Sequence, residues 1–285
     1  MAKELHIGGQ AVIEGVMMRS RDILSVAVRR PNKKIVVKKI KAVSLTKKKP
    51  WGFPFVRGVI VLGETVYLGL KALSWSASQA TDDDEQELSS WEIAGTIVFS
   101  LVLALVLFKL LPLLIASLIP NAANNILFNL IDGIAKIAIL VGYIWAISLM
   151  SDVKRLFQYH GAEHMAVNCY EEKKRLTIAN VRKYPKEHFR CGTSFILIVL
   201  LLSILFYMFI PLSLSFWAKY AWRIALLPVI AGVSYEIIRL AGKSKDSKFI
   251  KIISYPGVLL QHITTREPDD EMIEVAIKSL KAAVS

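Results

Sequence analysis

The sequence IAGTIVFSLVLALVLFKLLPLLIASLI, residues 93–119, carries a single charged residue, Lys109. A helix that crosses a bilayer needs about 20 predominantly apolar residues. Three later stretches meet the same requirement: 127–150, 194–217 and 222–240. The pattern predicts an α-helical integral membrane protein whose four transmembrane helices lie within residues 92–242.

Composition supports the same class. Hydrophobic residues make up 54% of the 285 residues and the mean hydropathy is +0.46, which argues against a purely soluble globular chain and against a disordered one. Lys and Arg total 36 against 23 Asp and Glu, a formal net charge of +13. In a membrane protein such an excess points first to topology and to anionic lipid headgroups, and only then to nucleic acid.

The positive charges are concentrated on one side of the predicted spans. Residues 1–58 hold 14 Lys and Arg, the loop 151–193 holds 9, and the tail from residue 241 holds 7. The connection around 120–128 holds none and the one around 219–223 holds two. The positive-inside rule therefore predicts a multi-pass protein of the cell membrane with both termini and the central loop in the cytoplasm.

The apolar segment 59–80 is a test of that topology, because a fifth span here would invert every later one. Glu64 and Lys71 interrupt it, and its apolar residues recur at helical spacing. The segment is therefore interpreted as an amphipathic helix that lies in the cytoplasmic interface. An acidic linker at 82–87 follows it and leads to the first span, so the helix and the linker together occupy residues 59–91. Lys109, Asp132 and Lys136 are expected to snorkel toward the outer surface.

The cytoplasmic parts carry their own signals. Two β-branched runs, 23–30 and 35–41, flank a Pro-Asn-Lys-Lys turn, so a small β element is predicted within residues 1–58. The tail 243–285 ends in the sequence DDEMIEVAIKSLKAA, residues 269–283. It has acidic residues at its start and lysines near its end, as expected of a helix.

A candidate metal site follows the second span. His160, Glu163 and His164 spell HxxEH, and on a helix the two histidines lie one turn apart on one face. Two imidazoles so placed can share a metal ion, while Glu163 is positioned to take a proton from water. The spacing predicts His160 and His164 as metal ligands and Glu163 as the catalytic residue.

A second His/Cys pair, His188 and Cys191, immediately precedes the third span. Because spans two and three end on the same side, the two pairs are expected to meet at one membrane surface. A zinc ion held by His160, His164 and either Cys191 or His188 would satisfy the ligand rules of catalytic zinc. Cys169 and Glu171 are further ligand candidates, and a metal-free alternative makes Cys191 a nucleophile with His160 or His188 as its base.

Two functions remain open from the residues alone. The leading hypothesis is a zinc-dependent hydrolase at the membrane surface that acts on a lipid, a lipid-linked intermediate or a membrane peptide. The alternative is a non-enzymatic scaffold or accessory factor with a purely structural His/Cys cluster. Its basic face, including the lysine run 47–49, would engage anionic lipid, the ribosome or membrane-protein assembly machinery.

Four long motifs resemble one known family. They are GGQAVIEGVMMR at 8–19, YHGAEHMAVNCYE at 159–171, RCGTSF at 190–195 and TTREPDDEMIEVAI at 264–277. In this order they resemble the YqhQ-like family of bacterial membrane proteins, a domain of unknown function. The resemblance implies a metal-dependent enzyme and points to His160, Glu163, His164, His188 and Cys191. Phe189 departs from the family's HPRCG motif, in which proline is expected at this position. The resemblance to the family implies no particular substrate.

Overall fold

In a computed structural model, which describes residues 7–20, 22–81, 89–119, 124–189, 191–243 and 248–285, the chain begins with a four-stranded antiparallel sheet. Its strands are β1 (Ile7–Val12), β2 (Gly15–Ser20), β3 (Ile23–Arg29) and β4 (Ile35–Lys41). They pair in sequence order, β1-β2-β3-β4. The predicted β3–β4 hairpin is therefore confirmed, and it is half of a larger sheet.

Both faces of this sheet are covered by helices. Helix α5 (Ser151–Glu171) and the C-terminal helix α11 (Asp270–Val284) pack on one face, and α1 (Val56–Ala80) packs on the other. In β2, Met18 points into the first core and Met17 into the second, as the two-residue period of a strand requires. The sheet and the C-terminal helix, predicted as separate pieces at the two ends of the chain, thus form one unit.

Helix α1 begins three residues before the predicted amphipathic segment and is not among the candidate membrane spans. Close to its start, Gly58 packs against Gly232 of a later helix, where a Cβ at Gly58 would lie 3.0 Å from the Gly232 Cα. The Arg57 guanidinium and the Glu236 carboxylate form an ion pair beside this contact. These contacts tie the sheet unit to the apolar helices. The predicted acidic linker, 82–87, lies outside the described residues.

Three helical segments in the described part of the chain are long and apolar enough to cross a membrane: Ala94–Ser117, Asn125–Ile147 and Phe216–Leu240. The first comprises α2 (Ser90–Leu105), a π-helical turn (Val106–Leu110) and α3 (Leu111–Ser117). The second is α4 (Asn125–Ile147), and the third is α8 (Phe216–Ala225) followed by α9 (Leu227–Lys243). They match three of the four predicted spans.

The remaining predicted span, 194–217, is shorter as a helix than the apolar run suggested. Helix α7 (Gly192–Tyr207) has 16 residues, about 24 Å at 1.5 Å per residue, and a loop separates it from α8. Its last turn nevertheless reaches the beginning of α4, because the Asn125 side-chain amide donates to the Met208 carbonyl at 3.3 Å. Helix α7 therefore runs beside α4 over most of its length.

Two further elements complete the chain around this bundle. Helix α6 (Ile178–Val181) is one turn in the loop after α5, and α10 (Lys248–Thr264) packs along α7. The approach is close, since a Cβ at Gly257 would lie 2.5 Å from the Ser194 Cα. As a result, the end of α10 lies beside the start of α7, where the candidate site is found.

Candidate metal centre

Helix α5 carries the HxxEH motif and starts four residues after α4 ends. Its Gly161, unfavourable in a helix by propensity, has a packing reason: a Cβ there would lie 2.2 Å from the Arg266 carbonyl oxygen. The absence of a side chain lets the segment after α10, residues 265–269, run directly against α5. In that segment the Arg266 amide donates to the Phe157 carbonyl at 2.9 Å.

Both motif histidines are oriented by backbone carbonyls. His160 Nδ1 lies 2.8 Å from the Thr264 oxygen, and His164 Nδ1 lies 2.6 Å from the Lys186 oxygen. A carbonyl can only accept, so each Nδ1 carries the proton and each Nε2 presents its lone pair. Metal-binding histidines are oriented by the same kind of hydrogen bond. The two rings lie 4.4 Å apart between centroids.

The Cys191 thiol lies close to the Nε2 atoms of both histidines. It is the residue before the first turn of α7, and its Sγ lies 3.3 Å from His160 Nε2. One ligand atom from each of His160, His164 and Cys191 lies within 4.8 Å of the others. Neighbouring N and S ligands of a tetrahedral zinc ion stand about 3.5 Å apart when the bonds are about 2.0 and 2.3 Å. The 3.3 Å between Cys191 Sγ and His160 Nε2 is close to that separation.

Glu163 lies against the same centre. Its side chain is only 6% exposed, and the Gly9 backbone N–H donates to its carboxylate. Burial raises the pKa of the Glu163 carboxyl, although the nearby His160 and His188 oppose the shift. Its Oε2 is 3.5 Å from His164 Nε2, the nitrogen that faces the centre.

The β1 strand approaches α5 closely enough to reach this carboxylate only because residue 9 is glycine. A Cβ at Gly9 would lie 2.5 Å from the Met17 oxygen and 3.0 Å from Glu163 Oε1. In the following turn, Glu14 forms an ion pair with Arg155 and accepts from the Tyr159 hydroxyl at 3.2 Å. The first sequence motif, 8–19, is therefore the strand pair that holds α5 in place.

His188 lies beside the three-residue group. Its ring centroid is 5.7 Å from that of His164, and its Nε2 is 3.8 Å from Glu171 Oε2. Gln261 holds its backbone from both sides: the His188 amide donates to Gln261 Oε1 at 2.8 Å, and Gln261 Nε2 donates to the His188 carbonyl at 2.9 Å. The structure thus brings Cys191, of the two alternatives, against the motif histidines.

The other predicted ligand candidates are placed apart from that group. Cys169 is fully buried in the core between the sheet, α5 and α11, and burial raises the pKa of its thiol. Glu171 lies about two turns beyond His164 at the end of α5, next to His188. Burial lowers the pKa of His164, which favours the neutral imidazole that a metal requires.

Sequence reasoning missed the groups that orient the site. They are the Thr264 and Lys186 carbonyls, the Gly9 amide and the Gln261 side chain. Backbone donors and acceptors leave no signature in residue type. The sequence motifs at 8–19 and 264–277 could have pointed to these groups, since each motif contributes a backbone contact to α5.

The fold and the site define a class of protein: an apolar helical bundle joined to a covered β-sheet, with a His₂Cys cluster where the two meet. The chain belongs to the family described as protein of unknown function (DUF1385), whose model matches residues 53–285. It is 35% identical over 291 residues to the uncharacterized protein YqhQ of Bacillus subtilis (strain 168), covering 95% of this chain and 90% of that protein. No solved structure gives a significant match to the chain.

The contact between Gly161 and the Arg266 carbonyl can be tested by adding one methyl group. We expect Gly161→Ala to lower the stability by about 1–3 kcal/mol, because the new Cβ overlaps backbone that cannot move without breaking the His160–Thr264 hydrogen bond. Gly142→Ala in α4 is the matched control, since a Cβ there meets nothing within 4 Å. Thermal unfolding of the purified proteins in detergent checks this, and equal Tm values for the two variants would contradict it.

Proposed function

We propose that this protein is a zinc-dependent hydrolase that acts at the membrane surface on a lipid, a lipid-linked intermediate or a membrane peptide. His160, His164 and Cys191 would hold the metal and Glu163 would be the general base. One observation carries the proposal: two imidazole Nε2 atoms and a thiol face a common centre, and each imidazole is oriented by a carbonyl at its other nitrogen.

The donor set favours zinc among the common metals. Two imidazoles and a thiolate suit zinc better than Mg²⁺ or Ca²⁺, which prefer oxygen ligands. Three protein ligands are the number found in catalytic zinc sites, where a fourth position remains for water or substrate. A zinc ion in this position would supply Lewis acidity to the reaction.

The surroundings of Glu163 support its role as a base. The Gly9 amide holds its carboxylate, and Oε2 lies 3.5 Å from Nε2 of the proposed ligand His164. A carboxyl whose pKa is raised by burial accepts a proton more readily near neutral pH than an exposed one. His160 is only partly buried, so water can approach the site from its side.

Access from the lipid side supports a membrane substrate. Cys191 directly precedes the apolar helix α7, and Phe189, two residues before Cys191, is exposed. Side chains of this kind enter the headgroup region of a bilayer. A substrate anchored in the membrane would therefore reach the cluster by moving in the plane of the membrane.

We also propose that α7 crosses the membrane as a fourth span, which returns both termini to one side. The contact between Asn125 and the Met208 carbonyl supports this, because it places the two ends of α7 and α4 at similar depth. The Lys and Arg distribution favours the cytoplasm of a bacterial cell for the sheet unit. The exposed lysines 47–49, next to exposed Trp51 and Phe53, would then face anionic lipid.

Metal analysis tests the ligand set. The wild-type protein should purify with one zinc ion per chain, whereas His160→Ala and Cys191→Ser should lose stoichiometric metal because each removes one of three ligands. His188→Ala should keep its metal, and the exposed His262 provides a control substitution, His262→Ala. Elemental analysis by mass spectrometry after gel filtration measures all five proteins.

Two results would count against this ligand set. A wild-type protein without metal, purified with zinc present and without chelator, would overturn the metal centre. A His160→Ala variant with wild-type metal content would remove His160 from the ligands. Cobalt substitution gives an independent readout, since a thiolate-to-cobalt absorption band should be present in the wild type and absent from Cys191→Ser.

The hydrolase proposal is tested by Glu163→Gln. This variant should bind zinc normally and lose hydrolysis by about 10²-fold or more, because the amide cannot accept the proton. Reconstituted protein is incubated with bacterial lipid extract and membrane peptides, and released products are identified by mass spectrometry. The exposed Glu172 provides the matched control, Glu172→Gln, which should retain full activity.

A second measurement on the same proteins separates a catalytic centre from a structural one. Acetohydroxamate should perturb the spectrum of the cobalt-substituted protein if a coordination position is open. An unchanged spectrum, together with no product from any lipid or peptide, would refute the hydrolase and leave the metal with a structural role.

The four-span topology is tested by cysteine labelling. Both natural cysteines are buried, so single substitutions at the exposed residues Lys48 and Ser213 report accessibility. In intact cells an impermeant maleimide should label Ser213→Cys and should reach Lys48→Cys only after lysis. Labelling of Lys48→Cys in intact cells would contradict the proposed orientation.

A further inference from the structure

A second polar group lies between the apolar helices, at the end of α7 opposite the metal centre. We call it the cation cluster, and its members are Lys109, Asn129, Asp132, Lys136, Tyr207 and Arg223. Each is buried, with at most 7% of its surface exposed. Tyr207 ends α7, which begins just after Cys191, so about 24 Å of helix separates the two groups. The predicted snorkelling of Lys109, Asp132 and Lys136 to the surface is therefore wrong.

The charges of this cluster do not balance. Lys136 and Arg223 each form an ion pair with Asp132. Lys109 donates to the uncharged Tyr207 hydroxyl at 2.8 Å instead. Within the described part of the chain, three cations therefore share one carboxylate. An excess of two positive charges is costly between apolar helices, where ionisable side chains normally pair with each other.

Hydrogen-bond donors are also left over. The Nε of Arg223 is buried and has no acceptor among the described residues, although its two terminal nitrogens donate to Asp132 and Asn129. The Tyr207 hydroxyl is already committed, since it accepts from Lys109 and donates to the Arg223 carbonyl at 3.2 Å. A buried donor of this kind requires an acceptor, and the described residues do not provide one.

The backbone around Lys109 is irregular in the same place. Residues Val106–Leu110 form a π-helical turn, in which the Leu111 amide donates to the Val106 carbonyl, and Pro112 follows. Single π-helical turns within α-helices occur frequently at functional sites. The turn holds the Lys109 side chain among the helices, where its ammonium lies 5.3 Å from the centre of the Tyr207 ring.

We propose that the cation cluster binds a phosphate group, with Lys109 and Arg223 as its principal donors. A phosphate monoester carries close to two negative charges and accepts several hydrogen bonds, so it matches both the charge excess and the unpaired donor. Guanidinium and ammonium groups are the usual partners of phosphate in proteins. The site is distinct from the metal centre, and binding there does not depend on the proposed hydrolase.

The phosphate could come from a lipid whose headgroup is a phosphate monoester or from free inorganic phosphate, and the experiment has one arm for each. The full chain is purified in detergent without added lipid. Phosphorus is then measured separately in the organic extract, which reports retained lipid. Inorganic phosphate is titrated into the same protein by calorimetry.

The wild type should give a positive result in one of the two arms, at about one phosphate group per chain. Lys109→Met, which keeps the length of the side chain and removes the charge, should weaken binding at least about tenfold. Lys219→Met is the matched control, because Lys219 lies on the same helix as Arg223 but is partly exposed, and it should bind as the wild type does.

Two outcomes would overturn the proposal. The first is a wild-type protein that retains no lipid phosphorus and binds no inorganic phosphate. That result would show that the cation cluster is neutralised within the protein, and it does not depend on how the variants fold. Equal phosphate binding by Lys109→Met and the wild type, with both proteins monodisperse and showing a thermal transition, excludes Lys109 as a donor.

Discussion

The hydrogen bond from His160 Nδ1 to the Thr264 carbonyl joins residues 104 positions apart, and much of the structure depends on it. It holds the segment after α10 against α5, where Gly161 leaves room for the Arg266 carbonyl. That segment leads to Asp269, which caps α11 by accepting from the Met272 amide at 2.8 Å. Helix α11 then covers the sheet, so the interaction that orients a candidate ligand also places the C-terminal helix.

The elements that sequence reasoning predicted well are those with a local cause. Three apolar runs became helices long enough to cross a membrane, because about 20 apolar residues can satisfy their backbone in lipid only as a helix. The β3–β4 hairpin followed from β-branched runs around a turn. The spacing of His160 and His164 placed two imidazoles on one helix face, and the structure brings Cys191 to them.

What could not be predicted depends on contacts distant in sequence. Strands β1 and β2 contain three glycines and little strand-like alternation, and they become strands because α1 covers one face and α5 and α11 cover the other. Cys191 approaches the motif histidines from a loop whose backbone at His188 is held by Gln261 of α10, 73 residues away. The length of α7 was overestimated because the loop after Tyr207, where the helix ends, is still apolar and uncharged.

Helix α7 explains why the two polar groups are separate. It is uncharged throughout, and its polar contacts lie just before its first turn and at its last residue. Cys191 lies beside the His160 imidazole, and three cations surround the Tyr207 ring. Between them, Leu197 and Leu200 pack against Leu140 and Ile144 of α4. This apolar layer separates the His/Cys cluster from the cation cluster. Because apolar side chains offer no hydrogen bonds or counter-charges, the polar atoms of each cluster need partners within that cluster. A metal ion at one end and an anion at the other would meet the two requirements independently.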